Sequence, residues 1–371
     1  MERVLMRVLI SGYYGFGNTG DEAILRAIVN SMRSEKPDLD IVVLSDNPKE
    51  TEKIHNVRAI NRMDLVSIWT TLSCSDMLIS GGGGLLQDIT STRNILYYIT
   101  IIYMAWLLKK PVVYYANGVG PIRSYFNRLL VRNVSNKVQV ITVRDFLSKC
   151  QLDEIGVKKD IFITADPAFL LKVPDYVNVE KIYEREGIPL DKKILGVSIR
   201  KWNNFNNVKN AFKDFVRRAR GVEDFNIVFL PMQKGEDLCV CEEIANCFDR
   251  SYVVKGSYDV YEILGIVSKF DYMIGMRLHA MIFSVLNGVP VIGISYDPKI
   301  DNFFGIIGQQ YLNHVDEVNG ERLFNQYLDV VMHRKEISDY LKRKSEELRL
   351  KAMENNKIAF KVLERQRWVN D

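Results

Sequence analysis

The feature that most constrains this chain is an alternation of short apolar runs with amphipathic stretches, laid out in two blocks. In the first block the runs are Val8–Ser11, Ile41–Ser45, Met77–Ser80, Val112–Ala116, Val140–Val143 and Ile161–Thr164. Stretches with a helical period, such as Glu22–Arg33 and Tyr125–Val134, lie between them. Runs this short and apolar on both faces suit buried parallel strands, and a parallel sheet needs helices on both sides. The alternation pauses over Lys172–Lys193, a charged stretch holding Pro174 and Pro189 that suits a linker. It resumes with Ile194–Ile199, Ile227–Pro231, Tyr252–Val254, Tyr272–Gly275 and Val289–Ile294. From about Lys335 onward the chain is one long charged helical pattern that ends in Trp368. The expectation is an α/β protein with two Rossmann-like domains facing a cleft, over residues 1–172 and 173–335. A helical tail, 336–371, follows and is expected to cross back to the first domain. The 371 residues suffice for two such domains.

Composition narrows the class. Hydrophobic residues make up 47% and charged residues 26%, so a large core is available without staples. A net charge of +4 is too mild to imply nucleic acid as a partner. The five cysteines are scattered. Cys239 and Cys241, two apart in a helical stretch, point to different faces and have no histidine beside them, so they read as idle or buried thiols in a reducing cytoplasm. No ligand spacing for a metal is present, and neither a metal nor a cofactor is expected. Residues Met1–Ile10 lead almost directly into a strand, so no signal peptide is expected. Ile95–Leu108 is apolar or aromatic except for Thr100. It falls short of the ~20 residues that span a bilayer. It reads as a helix packed on a sheet. The alternative is a membrane-surface helix using Tyr97, Tyr98, Tyr103 and Trp106.

In doubly wound sheets ligands bind beyond the carboxyl ends of the strands, so the informative residues follow strands. The first strand leads into Gly12–Glu22, where Gly15, Gly17 and Gly20 match the spacing of a dinucleotide fingerprint. Asp21 and Glu22 argue against that use, because two carboxylates in the first helical turn repel a pyrophosphate. Asp21 is instead a candidate to accept a proton or bind a sugar hydroxyl, or else it caps the helix. The next strands lead into Gly81–Gly84, where Gly82 and Gly83 are ligand-contact candidates, and into Asn117–Pro121. Arg144 follows Val140–Val143 and reads as an anion clamp or as the ion-pair partner of Asp145. The sharpest signal is Gly275-Met276-Arg277-Leu278-His279-Ala280. Arg277 and His279 can serve one site only if Arg277 lies in the loop and His279 in the first turn of the following helix. Backbone amides bind anions there, and histidine changes protonation near neutral pH. Lys299 and, more weakly, Arg200 also follow strands. His55, His314 and His333 lack such context and read as surface residues.

Taken in order, positions 12–23, Gly81–Gly84, Asn117–Pro121, Arg144-Asp145, Ala165-Asp166-Pro167 and Met276–Ala280 resemble the polysaccharide pyruvyl transferase family, above all its bacterial branch acting on secondary cell-wall polymer precursors. The resemblance runs from about Arg7 to Gly305. It implies a fold similar to the glycosyltransferase B type and phosphoenolpyruvate as donor. It further implies a 4,6-pyruvate ketal on a hexose such as N-acetylmannosamine, carried on a lipid-linked glycan acceptor. It also implies a cytoplasmic enzyme working near the inner face of the plasma membrane. By the same resemblance Arg144 and Arg277 bind the donor and His279 is the catalytic histidine, with Asp21 and Lys299 as further active-site positions. Gly20, Gly82, Gly83 and Asn117 are read as acceptor-binding or loop positions. The rival reading is a sugar-nucleotide-dependent glycosyltransferase of the same fold. Many of those hold the donor with an acidic residue on the second-domain helix, where this chain has only Asn287-Gly288-Val289-Pro290.

Overall fold

The computed structural model describes residues 6–89, 92–203 and 205–370, with side chains throughout except at 92 and 366–370. The lead-in Met1–Leu5 and the side chain of Trp368 lie outside the described residues. The chain forms two compact units, 1–170 with 348–371, and 171–347.

In the first unit the elements are β1 (Arg7–Ser11), α1 (Thr19–Glu35), β2 (Asp40–Ser45), α2 (Pro48–His55), β3 (Arg58–Asn61), α3 (Leu65–Ser73) and β4 (Met77–Leu86). They continue with α4 (Thr92–Leu107), β5 (Val112–Val119), α5 (Tyr125–Ser135), β6 (Val140–Val143), α6 (Phe146–Glu154) and β7 (Ile161–Ile163). The strands form a parallel sheet of order β3-β2-β1-β4-β5-β6-β7. Alternate residues supply two separate cores. Val8, Ile10, Ile41 and Val43 pack with α1. Leu9, Val42, Leu44 and Leu78 pack with α3, α4, α5 and α6.

In the second unit the elements are α7 (Val179–Arg185), β8 (Lys193–Ser198), α8 (Phe205–Ala219), β9 (Phe225–Phe229), α9 (Lys234–Ala245), β10 (Ser251–Val253) and α10 (Val260–Ser268). Then come β11 (Tyr272–Gly275), α11 (Leu278–Leu286), β12 (Val291–Ser295), α12 (Pro298–Ile307), β13 (Leu312–His314) and α13 (Gly320–Met332). The sheet is again parallel, in the order β10-β9-β8-β11-β12-β13. The stretch expected as a linker contains α7. Its Tyr183 is buried and donates to the Ile266 carbonyl of α10 at 2.8 Å.

The tail is a single helix, α14 (Arg334–Asn370), divided between the units at Leu348. Ala359, Phe360 and Leu363 join the core under α1. Asn355 and Asn356 beside them are fully buried. Asn355 Oδ1 accepts from Thr142 at 2.5 Å and Thr164 at 2.8 Å, while its amide donates to the Ala165 carbonyl at 3.3 Å. Asn356 Oδ1 accepts from the Tyr115 hydroxyl at 2.6 Å, and its amide donates to Ser31 at 2.5 Å.

Ile95–Leu108 falls in α4, whose Ile95, Tyr98, Ile99, Ile101 and Ile102 are buried against the sheet. Tyr98, one of the aromatics of the membrane-surface alternative, is therefore core, and Tyr97 and Tyr103 pack against that core. Among the described residues no helix is long and apolar enough to cross a membrane.

Replacing Asn356 with leucine leaves the buried Tyr115 hydroxyl without its acceptor. We expect Asn356→Leu to lower the unfolding free energy by about 1–3 kcal/mol, read as the shift in a urea titration followed by far-UV circular dichroism.

Candidate active site

Each sheet has one place where the winding reverses, between β1 and β4 in the first unit and between β8 and β11 in the second. Crevices open there at the carboxyl ends of the strands.

In the first unit the loop after β1 leads into α1, which Asn18 caps by accepting from Gly20 N at 3.0 Å. Asp21 is therefore not the cap and stands within the first turn. Its Oδ1 lies so close to Gly83 that a β-carbon there would sit 3.0 Å away. Glu22 holds the loop: one oxygen accepts from Gly15 N at 2.8 Å and the other meets His55 Nε2 at 2.7 Å. His55 is 1% exposed, so the expectation of a surface histidine is corrected. It was misread because its partner lies 33 positions away in sequence. Arg62 is a second anchor with no signal in the sequence. Its guanidinium is buried 4.2 Å from the Tyr97 ring centre and 4.9 Å from that of Phe16, which stacks on Tyr13. Cations over aromatic faces gain most when desolvated, as here.

The glycine run is not a loop. Gly81–Gly84 lie inside β4, which stays paired with β5 up to Leu86 and Val119 across a register shift. A side chain at Gly82 would collide with Ile24 of α1, and Gly83 needs its φ of +92°. Both glycines thus have packing or backbone reasons, and only Gly84 faces open space. Asn117 likewise lies within β5 and is fully buried. With its amide oriented to suit its neighbours, it donates to the Ser80 carbonyl at 2.8 Å and accepts from the Ser80 hydroxyl at 3.2 Å. Both positions therefore tie the central strands together.

Arg144, at the end of β6, is almost fully buried and bonds Asp166 at 3.0 Å, with Asp145 at 3.5 Å. Its guanidinium lies against Gly118, where a β-carbon would come within 2.8 Å of Nη2. Burial acts against its charge, but Asp166, Asp145 and Asp21 outweigh burial and hold its pKa above the usual arginine value. The first unit thus brings Asp21, Gly83, Arg144, Asp145 and Asp166 into one neighbourhood, with carboxylates in excess.

In the second unit β8, β11 and β12 are sheet neighbours, and Arg200, Arg277 and Lys299 follow them in turn. Arg277 is the N-cap residue of α11 and His279 the second helical residue. Arg277 is 8% exposed and grips Asp237 through two parallel bonds, Nε to Oδ2 at 2.9 Å and Nη2 to Oδ1. Asp237 is fully buried and is itself fixed by Met232 N and Gln233 N. Burial again opposes the Arg277 charge, and Asp237 reverses this, so its pKa is raised. Arg200 and Lys299 are held more loosely. Arg200 reaches Glu236 at 3.4 Å and the Tyr296 hydroxyl at 3.3 Å. Lys299, in the first turn of α12, lies 3.4 Å from Asp297 and 5.6 Å from the Tyr296 ring centre. Trp202 packs against Tyr296 with ring centres 4.6 Å apart. Asp237, Tyr296 and Trp202 escaped the sequence reading, since a lone acid in a helical first turn and aromatics near strands are common.

A family model for polysaccharide pyruvyl transferases matches residues 18–298. The amylovoran biosynthesis protein AmsJ of Erwinia amylovora is 25% identical over 362 residues, covering 79% of this chain and 84% of that protein. Solved structures resemble the whole chain at low identity. Anabaena HepE in complex with UDP-glucose superposes with a TM-score of 0.66 at 10% identity, covering 97% of this chain and 100% of that one. The UDP-GlcNAc 2-epimerase of Neisseria meningitidis gives 0.65 at 12%, over 97% and 100%. A glycosyltransferase from Rickettsia africae gives 0.61 at 14%, over 98% of each chain. These likenesses establish the fold, two Rossmann-like units of the glycosyltransferase B kind.

Removing the His55 side of the Glu22 clamp should free the loop it holds. His55→Leu is expected to speed amide exchange across residues 12–18 by about tenfold, the worth of one hydrogen bond to a charged group. Hydrogen–deuterium exchange mass spectrometry would read this, with the second unit's strands unchanged.

Proposed function

The chain belongs to the polysaccharide pyruvyl transferase family, and from that premise we propose that it transfers pyruvate from phosphoenolpyruvate to a sugar of a lipid-linked polysaccharide precursor. The acceptor is N-acetylmannosamine or a similar hexose, the product a 4,6-pyruvate ketal, and phosphate leaves. The relative named for amylovoran biosynthesis supports a role in polysaccharide assembly. The observation that carries the reading is Arg277 at the head of α11, fixed by buried Asp237 and followed by His279 in the first turn.

Phosphoenolpyruvate carries a carboxylate and a phosphate, so it needs guanidinium and ammonium groups. Arg277 and Lys299 supply them at neighbouring strand ends, and Arg144 is assigned to the donor as well. His279 as imidazolium protonates the methylene carbon of the enol while a sugar hydroxyl attacks the adjacent carbon. Asp21 takes the hydroxyl proton. The carbon–oxygen bond to phosphate then breaks, with Arg277 and Lys299 stabilising the leaving dianion. The second hydroxyl closes the ring and gives its proton to His279, by then a neutral imidazole, and Asp21 passes its own to the departing phosphate. Positioning and charge stabilisation carry the barrier reduction.

The direct test is phosphate release from phosphoenolpyruvate with a lipid-linked amino-sugar disaccharide. His279→Ala is expected to lower kcat by about 10²–10⁴, and wild-type release from this variant would remove the assigned acid. Arg277→Lys, which cannot keep the paired grip on Asp237, is expected to raise the KM for phosphoenolpyruvate about tenfold. An unchanged KM would take Arg277 out of the donor site.

A further inference from the structure

Between Asp88 and Arg144 the chain carries seven arginines and lysines and not one acid, although the whole chain has 46 acidic residues. This stretch holds α4 and α5 and leads into α6, neighbours in the helix layer on one face of the first sheet. Arg128 of α5 and Glu154 of α6 bridge the last two at 2.9 Å. Each of these helices starts at the carboxyl end of a strand, and each shows large apolar side chains to solvent within its first two turns. They are Leu96 on α4, Tyr125, Phe126 and Leu129 on α5, and Phe146 and Leu147 on α6.

The exposure is extreme at the start of α5, where Tyr125 is 79% and Phe126 63% accessible. This tip is not loose chain. Asp88 accepts from Arg123 N at 2.8 Å, Ser124 N at 2.9 Å and the Asn127 amide at 2.9 Å, and Ser124 caps the helix. The opposite side of α5, with Val131 and Val134, is buried in the core. Its outer side carries Arg128 and Arg132, with Arg123 just before it. A rigid tip of aromatic and aliphatic side chains ringed by cations matches a bilayer interface, where aromatic rings sit at headgroup level and basic residues face anionic lipid.

We propose that this rim, centred on Tyr125 and Phe126, docks the first unit onto an anionic lipid surface. The acid-free stretch selects that occupant: a protein partner would need an acidic patch to match, whereas an anionic bilayer offers negative charge at every position. The proposal is independent of the donor chemistry, because none of these residues has a role in the proposed reaction.

Sedimentation with vesicles tests it. The full chain is expected to pellet with phosphatidylcholine vesicles containing phosphatidylglycerol and to stay in solution with phosphatidylcholine alone. A Tyr125→Ser, Phe126→Ser double variant should bind the anionic vesicles about tenfold less. Arg123→Glu with Arg132→Glu should lower binding similarly and remove its salt dependence. Circular dichroism melting of each variant at the wild-type temperature keeps loss of binding separate from loss of fold. The proposal is overturned if the wild-type chain ignores anionic vesicles or if the double serine variant binds them as the wild type does. It is equally overturned if the patch instead drives self-association that the serine variant abolishes.

Discussion

Two asparagines, Asn355 and Asn356, are fully buried in the first unit with their polar atoms bonded to protein. They belong to the last helix, yet their partners come from α1, β5, β6 and the segment after β7. A parallel sheet must be covered on both faces, and α1 alone cannot cover a face seven strands wide. The final stretch of α14 supplies the missing cover, with Ala359, Phe360 and Leu363 for burial and the asparagines for registry. Buried amides are unforgiving of misplacement, because any displaced partner is left without a hydrogen bond. The first unit is consequently complete only once residues more than 300 positions apart have met, as Ser31 and Asn356 do.

That closed sheet is the platform on which the loop after β1 is aimed. Both oxygens of Glu22 have partners within the first unit. It binds Gly15 on one side and buried His55 on the other, and so joins the loop to the end of α2. Arg62 makes a second attachment, between the loop's Phe16 and the Tyr97 of α4. With both anchors set, Asp21 has little freedom, and glycine at position 83 leaves room for its carboxylate. The base role proposed for Asp21 gains from such fixation, since reorganisation during a reaction is then small.

The sequence was legible where one element carried the whole message. Nine of the strands announce themselves as apolar runs within a residue or two of where they lie, and β4 and β5 begin where expected but extend several residues further. The Arg277–His279 spacing implied a loop-to-helix junction, and Arg277 is indeed the N-cap residue of α11. The short edge strands β3 and β13 gave no such signal, because Arg58–Asn61 is largely solvent-facing and Leu312–His314 has a single apolar residue. The glycine run misled for a different reason. Glycines are read as loops, but here the strand continues through them, and their smallness serves α1 and Asp21 packed above. What stayed invisible were pairings over long separations, such as His55 with Glu22, Arg144 with Asp166, and Arg277 with Asp237.

Charge is divided between the two units in a way that fits the proposed chemistry. Around Arg144 one guanidinium faces three carboxylates, Asp21, Asp145 and Asp166, so a donor anion there competes with acids already in place. In the second unit Arg200 and Lys299 have only long contacts to exposed or half-exposed acids, which an arriving anion can displace. Arg277 differs from both. Its grip on Asp237 uses one edge of the guanidinium and leaves the rest of the fork fixed in direction. A guanidinium already immobilised loses less entropy when it takes an oxyanion on its remaining donors. A buried acid such as Asp237 therefore does not neutralise the site. It fixes the direction of the Arg277 guanidinium, while Arg200 and Lys299 beside it keep longer contacts.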